Sequence, residues 1–134
     1  MREIKFRGKC LKSGIFVYGG YAEDVITAES IVAKVGIIPA GCYSIAVDPE
    51  TVGQFTGLHD KNGKEVFDGD ILNIVRLNGS SAATGEVEYK DGAWIVDEGV
   101  FIGFQIIGRC SPDILEVIGN VHETPDLMEN KNEH

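Results

Sequence analysis

Four carboxylates close together near the middle of the chain are the residues best suited to bind a cation. They are Asp60, Glu65, Asp68 and Asp70. The segment that begins at Asp60 reads DKNG and superficially resembles part of a calcium-binding loop. An EF-hand loop needs oxygen ligands at positions 1, 3 and 5, glycine at position 6 and glutamate at position 12. Counted from Asp60, glycine falls at position 4 and Ile71 at position 12, so the spacing excludes an EF-hand loop.

Turn formation explains the same residues better. An aspartate at the first position of a turn accepts a hydrogen bond from the backbone ahead of it, and glycine at the fourth position, here Gly63, adopts a positive φ without strain. Asp68 and Asp70 flank Gly69, where we expect them to bind backbone N–H groups. The sequence therefore predicts structural turns here, with no metal site and no cofactor.

The cysteines and histidines give no sign of nucleophilic catalysis. The chain has three of each, namely Cys10, Cys42, Cys110, His59, His122 and His134. Their spacing pairs no cysteine with a histidine, and an odd number of widely spaced cysteines without a secretory signal is typical of free thiols in a reducing cytoplasm. We therefore predict that the protein is not an enzyme and has no catalytic residues.

The first twelve residues are basic although the protein as a whole is acidic. Five lysines and arginines stand there against Glu3 alone, whereas the whole chain carries a formal charge of −9. The alternation of Ile4 and Phe6 with Lys5 and Arg7 predicts a strand with one buried face and one solvated, basic face. Such a strand could also be a self-association surface or an anion-binding edge. The overall charge disfavours nucleic acid without excluding it.

Length and composition indicate one all-β protein. The chain has 134 residues, of which 43% are apolar and 25% charged, and its 17 glycines are scattered between β-branched and aromatic runs. A single β domain over residues 1–126 and a polar tail over 127–134 are predicted. No apolar run is long enough to span a bilayer, so we expect a cytoplasmic protein without membrane contact.

Short strands separated by turns account for most of the sequence. Residues 22–47 are ambiguous, because their apolar spacing also fits a helix, but their β-branched content favours two short strands. Residues 78–85 are small and polar and are interpreted as a mobile loop. Asp91 and Gly92 predict a tight hairpin. The other predicted strands are residues 4–7, 15–21, 52–58, 64–67, 71–77, 86–89, 94–96 and 115–121.

Four stretches of the sequence resemble the YopX family of small phage and prophage proteins. The opening REIKFRG and IFVYG stretches resemble the first two strands of that family. The segment DPETVGQFTGLHDKNGKEVFDGDI from Asp48 to Ile71 is the strongest match, and EVIGNVHETPDL from Glu116 to Leu127 resembles the closing motif. Residues 22–47 and 78–115 match nothing in the family pattern, and the match departs from it at Gly8–Cys10, His122 and Thr124.

This resemblance implies a mostly β fold with a small barrel-like body of antiparallel strands and hairpins, at most short helical turns, and a phage or prophage origin. It implies no catalytic residues. We expect an interaction module that binds another protein or itself, with nucleic-acid binding through the basic first strand as the alternative. The candidate binding surface comprises Lys5, Arg7, Lys9, Gln54, Thr56, His59, Asp60, Lys61, Asp68 and Asp70.

Overall fold

Eleven β-strands make up most of the structure, a computed structural model that describes residues 3–27, 32–39, 43–75, 78, 81–97, 104–107 and 110–127. The chain divides into two compact units, residues 1–55 and residues 56–134. In chain order the strands are β1 (Phe6–Lys9), β2 (Phe16–Ile26), β3 (Val32–Ile38), β4 (Ile45–Ala46), β5 (Gly53–His59), β6 (Glu65–Phe67), β7 (Asp70–Val75), β8 (Ser81–Lys90), β9 (Ala93–Asp97), β10 (Phe104–Ile106) and β11 (Leu115–Asn120).

The first unit is an antiparallel sheet with strand order β4-β3-β2-β1-β5. Its first hairpin places Phe6 opposite Gly19 and Lys9 opposite Phe16. The remaining length of β2 pairs with β3, from Gly20 opposite Ile38 to the end of the strand at Ile26. A short core of Val35, Ile37 and Val47 lies against one face, with Phe6, Val17 and Val52 packed around it.

The second unit is built on an antiparallel sheet with strand order β10-β9-β8-β7-β11. Strand β5 continues across the boundary at residue 55, and its second part lies next to β6. The apolar core of this unit consists of Val66, Leu72, Ile74, Val87, Val96, Ile107 and Leu115. These residues come from five strands and one adjoining turn, so the core forms only when strands distant in sequence have paired.

The prediction of a mostly β protein of antiparallel strands and hairpins is confirmed. Asp91 and Gly92 both have positive φ, 51° and 83°, and they connect β8 to β9 with Lys90 opposite Ala93. Residues 32–38 form a strand, which settles the ambiguity between helix and strand for that part. Among the described residues the strand order of each sheet has two ends, so the sheets are open and do not close into a barrel.

The predicted loop at residues 78–85 is wrong from Ser81 onward. Strand β8 begins there, and its small residues pair with β7, Ala83 with Ile74 and Gly85 with Leu72. Small side chains have low intrinsic strand propensity, but packing against an apolar neighbouring strand overrides that preference.

Helical structure in the described ranges is limited to short turns. Pro49–Thr51 and Pro112–Ile114 are 3₁₀ helices. Before each helix a side-chain oxygen, of Asp48 and of Ser111, accepts from the backbone N–H of the second helical residue, Glu50 and Asp113. None of the helices found in the described residues is long and apolar enough to cross a membrane.

Gly119 in β11 gives a test of the packing at the end of the second unit. A methyl group there would collide with the Thr124 hydroxyl and lie 2.8 Å from a Leu127 methyl. The Thr124 hydroxyl cannot withdraw freely, because it accepts a hydrogen bond from Asn120 N at 3.0 Å. We expect Gly119→Ala to lower the free energy of unfolding by about 1–3 kcal/mol in urea titrations followed by circular dichroism.

Gly20→Ala is the control for this substitution. The nearest atom to a methyl at that position is the Ile38 carbonyl oxygen, 4.0 Å away. Equal stability of the two variants would contradict the packing described for Gly119.

Candidate functional site

Asp60 is a buried carboxylate whose two oxygens bind three backbone N–H groups. One oxygen accepts from Asn62 N and Lys64 N, both at 2.9 Å. The other accepts from Val117 N at 3.0 Å, across 57 residues of sequence. Gly63, with a φ of 79°, donates to the Asp60 carbonyl at 3.0 Å and completes the predicted turn. The side chain is only 4% exposed, so it stabilises the turn and β11 and does not face a ligand.

Two opposing effects act on the pKa of Asp60. Burial is the larger single effect and raises the pKa, because it disfavours the charged form. The hydrogen bonds from Val117, Lys64 and Asn62, together with the positive charge of Lys64, outweigh it and hold the pKa below the ordinary value of 3.8. Asp60 is therefore ionised at neutral pH.

The turn that Asp60 begins also covers one edge of β11. Lys61 N donates to the Leu115 carbonyl at 2.8 Å, and the Lys61 ammonium lies 2.9 Å from a Glu116 carboxylate oxygen. The opposite edge of β11 pairs with β7. Both edges of the first part of β11 are therefore engaged, which removes it as a template for pairing with another chain.

Most other predicted site residues of the second unit have structural roles. The Thr56 hydroxyl is buried, donates to the Val66 carbonyl at 2.8 Å and accepts from Leu58 N at 3.1 Å. Asp70 is also buried and accepts from Phe67 N at 2.7 Å. Asp68 is half-buried next to Gly69, and His59 is exposed at the end of β5. The expected binding of backbone amides is confirmed for Asp60 and Asp70.

Among the described residues, no three histidine, cysteine, aspartate or glutamate side chains are close enough to hold a metal ion together. Cys10 and Cys110 are half-buried, and burial raises the pKa of the Cys110 thiol, which favours its protonated form. Cys42 lies outside the described residues.

The basic first strand is not the solvated face that the sequence suggested. Arg7 is only 5% exposed, and its guanidinium carbon lies 4.7 Å from the centre of the Phe16 ring. The Lys9 ammonium lies 5.9 Å from the same ring, and the Lys5 ammonium lies 5.5 Å from the Phe55 ring. Ile4 is exposed instead of buried. The prediction failed here because Phe16 and Phe55 on the neighbouring strands lie beside the basic side chains.

The structure reveals a set of exposed apolar residues that the sequence did not identify. In the described parts of the chain, eight of the ten large hydrophobic side chains with high exposure belong to the first unit. They are Ile4, Leu11, Ile15, Tyr18, Tyr21, Ile26, Ile38 and Tyr43, against Tyr89 and Ile118 in the second unit. The sequence predicted that Tyr18 and Tyr21 lie in a strand, but it could not show which face of that strand is exposed to solvent.

Strands β2 and β3 concentrate part of this set on one face. Along β3, Ala33, Val35 and Ile37 are buried, whereas Lys34 and Ile38 are exposed. Ile38 pairs with Gly20, so Tyr18 is its diagonal neighbour on the same face, at a typical Cα distance of about 7–8 Å. Tyr18, Asp24, Ile26, Lys34 and Ile38 are hereafter called the arm face, and all five are exposed.

Gly36 allows Val25 of β2 and Ser44, which precedes β4, to approach β3 closely. A side chain at this position would lie 2.7 Å from a Val25 methyl and 3.3 Å from the Ser44 Cβ. Ser44 donates its hydroxyl to the Ile26 carbonyl at 3.2 Å and so ties the end of β2 to the segment before β4. Asp24 has a φ of 52°, which interrupts the regular geometry of β2 at an exposed position.

Formal charge is divided unequally between the two units. Residues 1–55 contain six lysines and arginines and six aspartates and glutamates, so the first unit is neutral. The remaining six basic and 15 acidic residues give residues 56–134 the whole formal charge of −9. The exposed apolar side chains therefore belong mainly to the unit without net charge.

Known proteins with the same fold exist. The sequence profile of a family described as YopX protein matches residues 5–129. The crystal structure of protein EF1440 from Enterococcus faecalis superposes with a TM-score of 0.55 at 23% identity and covers 96% of this chain and 99% of that one. The crystal structure of protein yopX from Bacillus subtilis gives a TM-score of 0.54 at 18% identity, covering 96% and 97%. No curated protein matches the sequence.

Replacement of Asp60 tests its role as a structural anion. Asp60→Ala removes the acceptor of three backbone N–H groups, and a buried unsatisfied donor costs about 1–3 kcal/mol. We expect a loss of about 3 kcal/mol or more in the free energy of unfolding measured by urea titration. Asp60→Asn keeps one acceptor oxygen and should lose less. The exposed Asp113→Ala is the matched control, with an expected change within about 0.5 kcal/mol. Similar losses of unfolding free energy in Asp60→Ala and Asp113→Ala would contradict the structural role of the Asp60 carboxylate.

The low pKa of Asp60 makes this contribution depend on pH. Its pKa is lower in the folded chain than the ordinary 3.8, so the contribution is complete above that value and disappears as pH falls through the folded pKa. The difference in unfolding free energy between the wild type and Asp60→Asn should stay constant from about pH 7 to pH 5 and narrow below pH 3.8. A difference in unfolding free energy that widens on acidification would contradict a lowered pKa of Asp60 in the folded chain.

Proposed function

The chain belongs to the YopX family, and from that membership together with the arm face we propose that it is a non-enzymatic module that binds a protein. The observation that carries the proposal is the concentration of exposed apolar side chains in the neutral first unit. Contiguous exposed apolar surface on a protein marks an interaction site more often than a catalytic one. The occupant is either another protein or a second copy of this chain.

The bonding of the carboxylates supports a non-enzymatic role. Asp60 and Asp70 are buried and accept from backbone amides, which leaves them poorly placed for proton transfer to a substrate. A general base must reach the proton that it abstracts within hydrogen-bond distance. His59 is exposed at the end of its strand, and the Thr56 hydroxyl donates a hydrogen bond to the Val66 carbonyl.

The arrangement of the basic strand favours protein over nucleic acid as the partner. Phosphate binding needs accessible cations, but Arg7 is buried and Lys5 lies 3.5 Å from a Glu3 carboxylate oxygen. The ring beside Lys5, that of Phe55, is buried and so offers no face on which a base could stack. The charge of −9 adds long-range repulsion of any polyanion.

A phage or prophage origin and action in the cytoplasm of a bacterial host complete the proposal. The first is supported by the resemblance noted in the sequence, and the second by the odd number of widely spaced cysteines. Genes that neighbour the coding sequence test the origin, because phage structural and replication genes cluster together.

Ile38 offers a matched test of the interaction surface. Ile38 and Ile118 are the same residue type and are both 38% exposed, but they lie in different units. We expect immobilised wild type to capture a stoichiometric protein from host lysate, Ile38→Lys to lose it at least about tenfold, and Ile118→Lys to retain it. To test a second copy as the partner, the untagged chain is added in solution, and the immobilised chain should capture it. Equal capture by both variants, or no stoichiometric capture, would contradict the proposal.

A further inference from the structure

We propose that the arm face binds a second copy of this chain, related by a two-fold axis, an inference that rests on the proposed interaction function. The observations that carry it are the self-complementary charges of the arm face, the neutrality of the first unit and the irregular edge of β2. The first two argue for a second copy over a partner of different sequence, and the third argues for contact through faces instead of strand edges.

Charge neutrality favours association through the first unit. Two copies of this chain repel one another at long range, because each has a formal charge of −9. All of that charge resides in residues 56–134. An interface made from residues of the first unit therefore adds no net charge repulsion at short range. A strongly basic partner, by contrast, would gain its electrostatic attraction on the second unit and not on the arm face.

The arm face has the charge pattern of an isologous interface. Asp24 and Lys34 are both exposed, have opposite signs and lie among Tyr18, Ile26 and Ile38. Neither Asp24 nor Lys34 is in an ion pair with any residue in the described ranges. In a two-fold dimer each contact occurs twice, so Asp24 of each copy can face Lys34 of the other. The apolar side chains between them supply the buried centre that such an interface needs.

The copies meet through faces and not through strand edges. Glu23 and Asp24 are adjacent on β2, and an antiparallel pairing of two β2 edges at this point would bring like charges together. Asp24 also has a φ of 52°, and such a backbone interrupts the flat edge that strand addition requires. The adjacent acidic residues and the positive φ of Asp24 both disfavour pairing along the edge of β2, and neither blocks the arm face.

The size of the arm face predicts a weak, reversible dimer. Stable interfaces bury about 800 Å² on each partner, and smaller ones belong to transient complexes. The apolar part of the arm face has only three large side chains, so a dissociation constant in the micromolar range is expected, on the order of 1–100 μM.

Sedimentation of the purified chain alone tests the inference. Wild type should pass from monomer to dimer over about 1–300 μM. Ile38→Lys and Lys34→Glu should each raise the dissociation constant at least about tenfold, whereas Ile118→Lys should change it less than about twofold. Moderate salt should not dissociate the wild type, because it also screens the repulsion between the acidic units. A chain that stays monomeric at 300 μM, or a dimer that is indifferent to Ile38 and Lys34, overturns the inference.

A mixing experiment asks whether the two charges face each other. Asp24→Lys and Lys34→Glu should each dimerise poorly alone, because each homodimer would contain two like-charge pairs. An equimolar mixture should form a heterodimer in which both pairs attract, with a dissociation constant within about threefold of the wild type. A mixture no tighter than the separate variants contradicts the pairing. Should lysine at the positive φ of residue 24 prevent folding, Asp24→Asn mixed with Lys34→Gln replaces it. The mixed dimer keeps one Asp24–Lys34 pair and each homodimer has none, so the mixture should dimerise more tightly than either variant alone.

The outcomes separate this inference from the proposed function. A monomeric chain whose Ile38→Lys variant loses a captured host protein overturns the two-fold dimer and leaves the interaction function standing. A monomeric chain that captures nothing contradicts both.

Discussion

One buried anion constrains the second unit more than any other interaction. A carboxylate removed from water is costly unless hydrogen bonds replace its hydration, and Asp60 obtains three of them from backbone amides. Two donors belong to the turn that follows it, and the third belongs to β11. The turn and the last strand therefore depend on each other, and the position of Lys61 on the edge of β11 follows from that link.

Local chemistry made the turns predictable. The DKNG segment, Asp68–Asp70 and Asp91–Gly92 have residues whose side chains and permitted φ values specify a turn without help from the rest of the chain. The same local reasoning identified hydrogen-bonded carboxylates in place of metal ligands. It could not find Val117 as a partner of Asp60, because a contact across 57 residues leaves no periodic signal in the sequence.

Burial was less predictable than secondary structure. Ile37 and Ile38 are identical neighbours, yet one is fully buried and the other is on the arm face. Only the register of β3 with β2 decides between them. Arg7 shows the opposite error. Its charge predicted exposure to solvent, but in the sheet its guanidinium lies against the ring of Phe16. The candidate surface was chosen by chemical type, whereas the exposure of the apolar residues on the arm face depends on strand pairing, which the sequence does not show.

The position of β11 at the end of the chain has a consequence for synthesis on the ribosome. All strands of the first unit are present once residue 55 has been made, whereas β7 has its second neighbour, and Asp60 its third donor, only after Val117 emerges. At translation rates of about 5–20 residues per second, the second unit remains unfinished for on the order of 3–12 s after the first is complete. During that interval the nascent chain displays a completed arm face while its acidic second sheet is still incomplete, so the dimerisation proposed above can begin between chains on neighbouring ribosomes of one message.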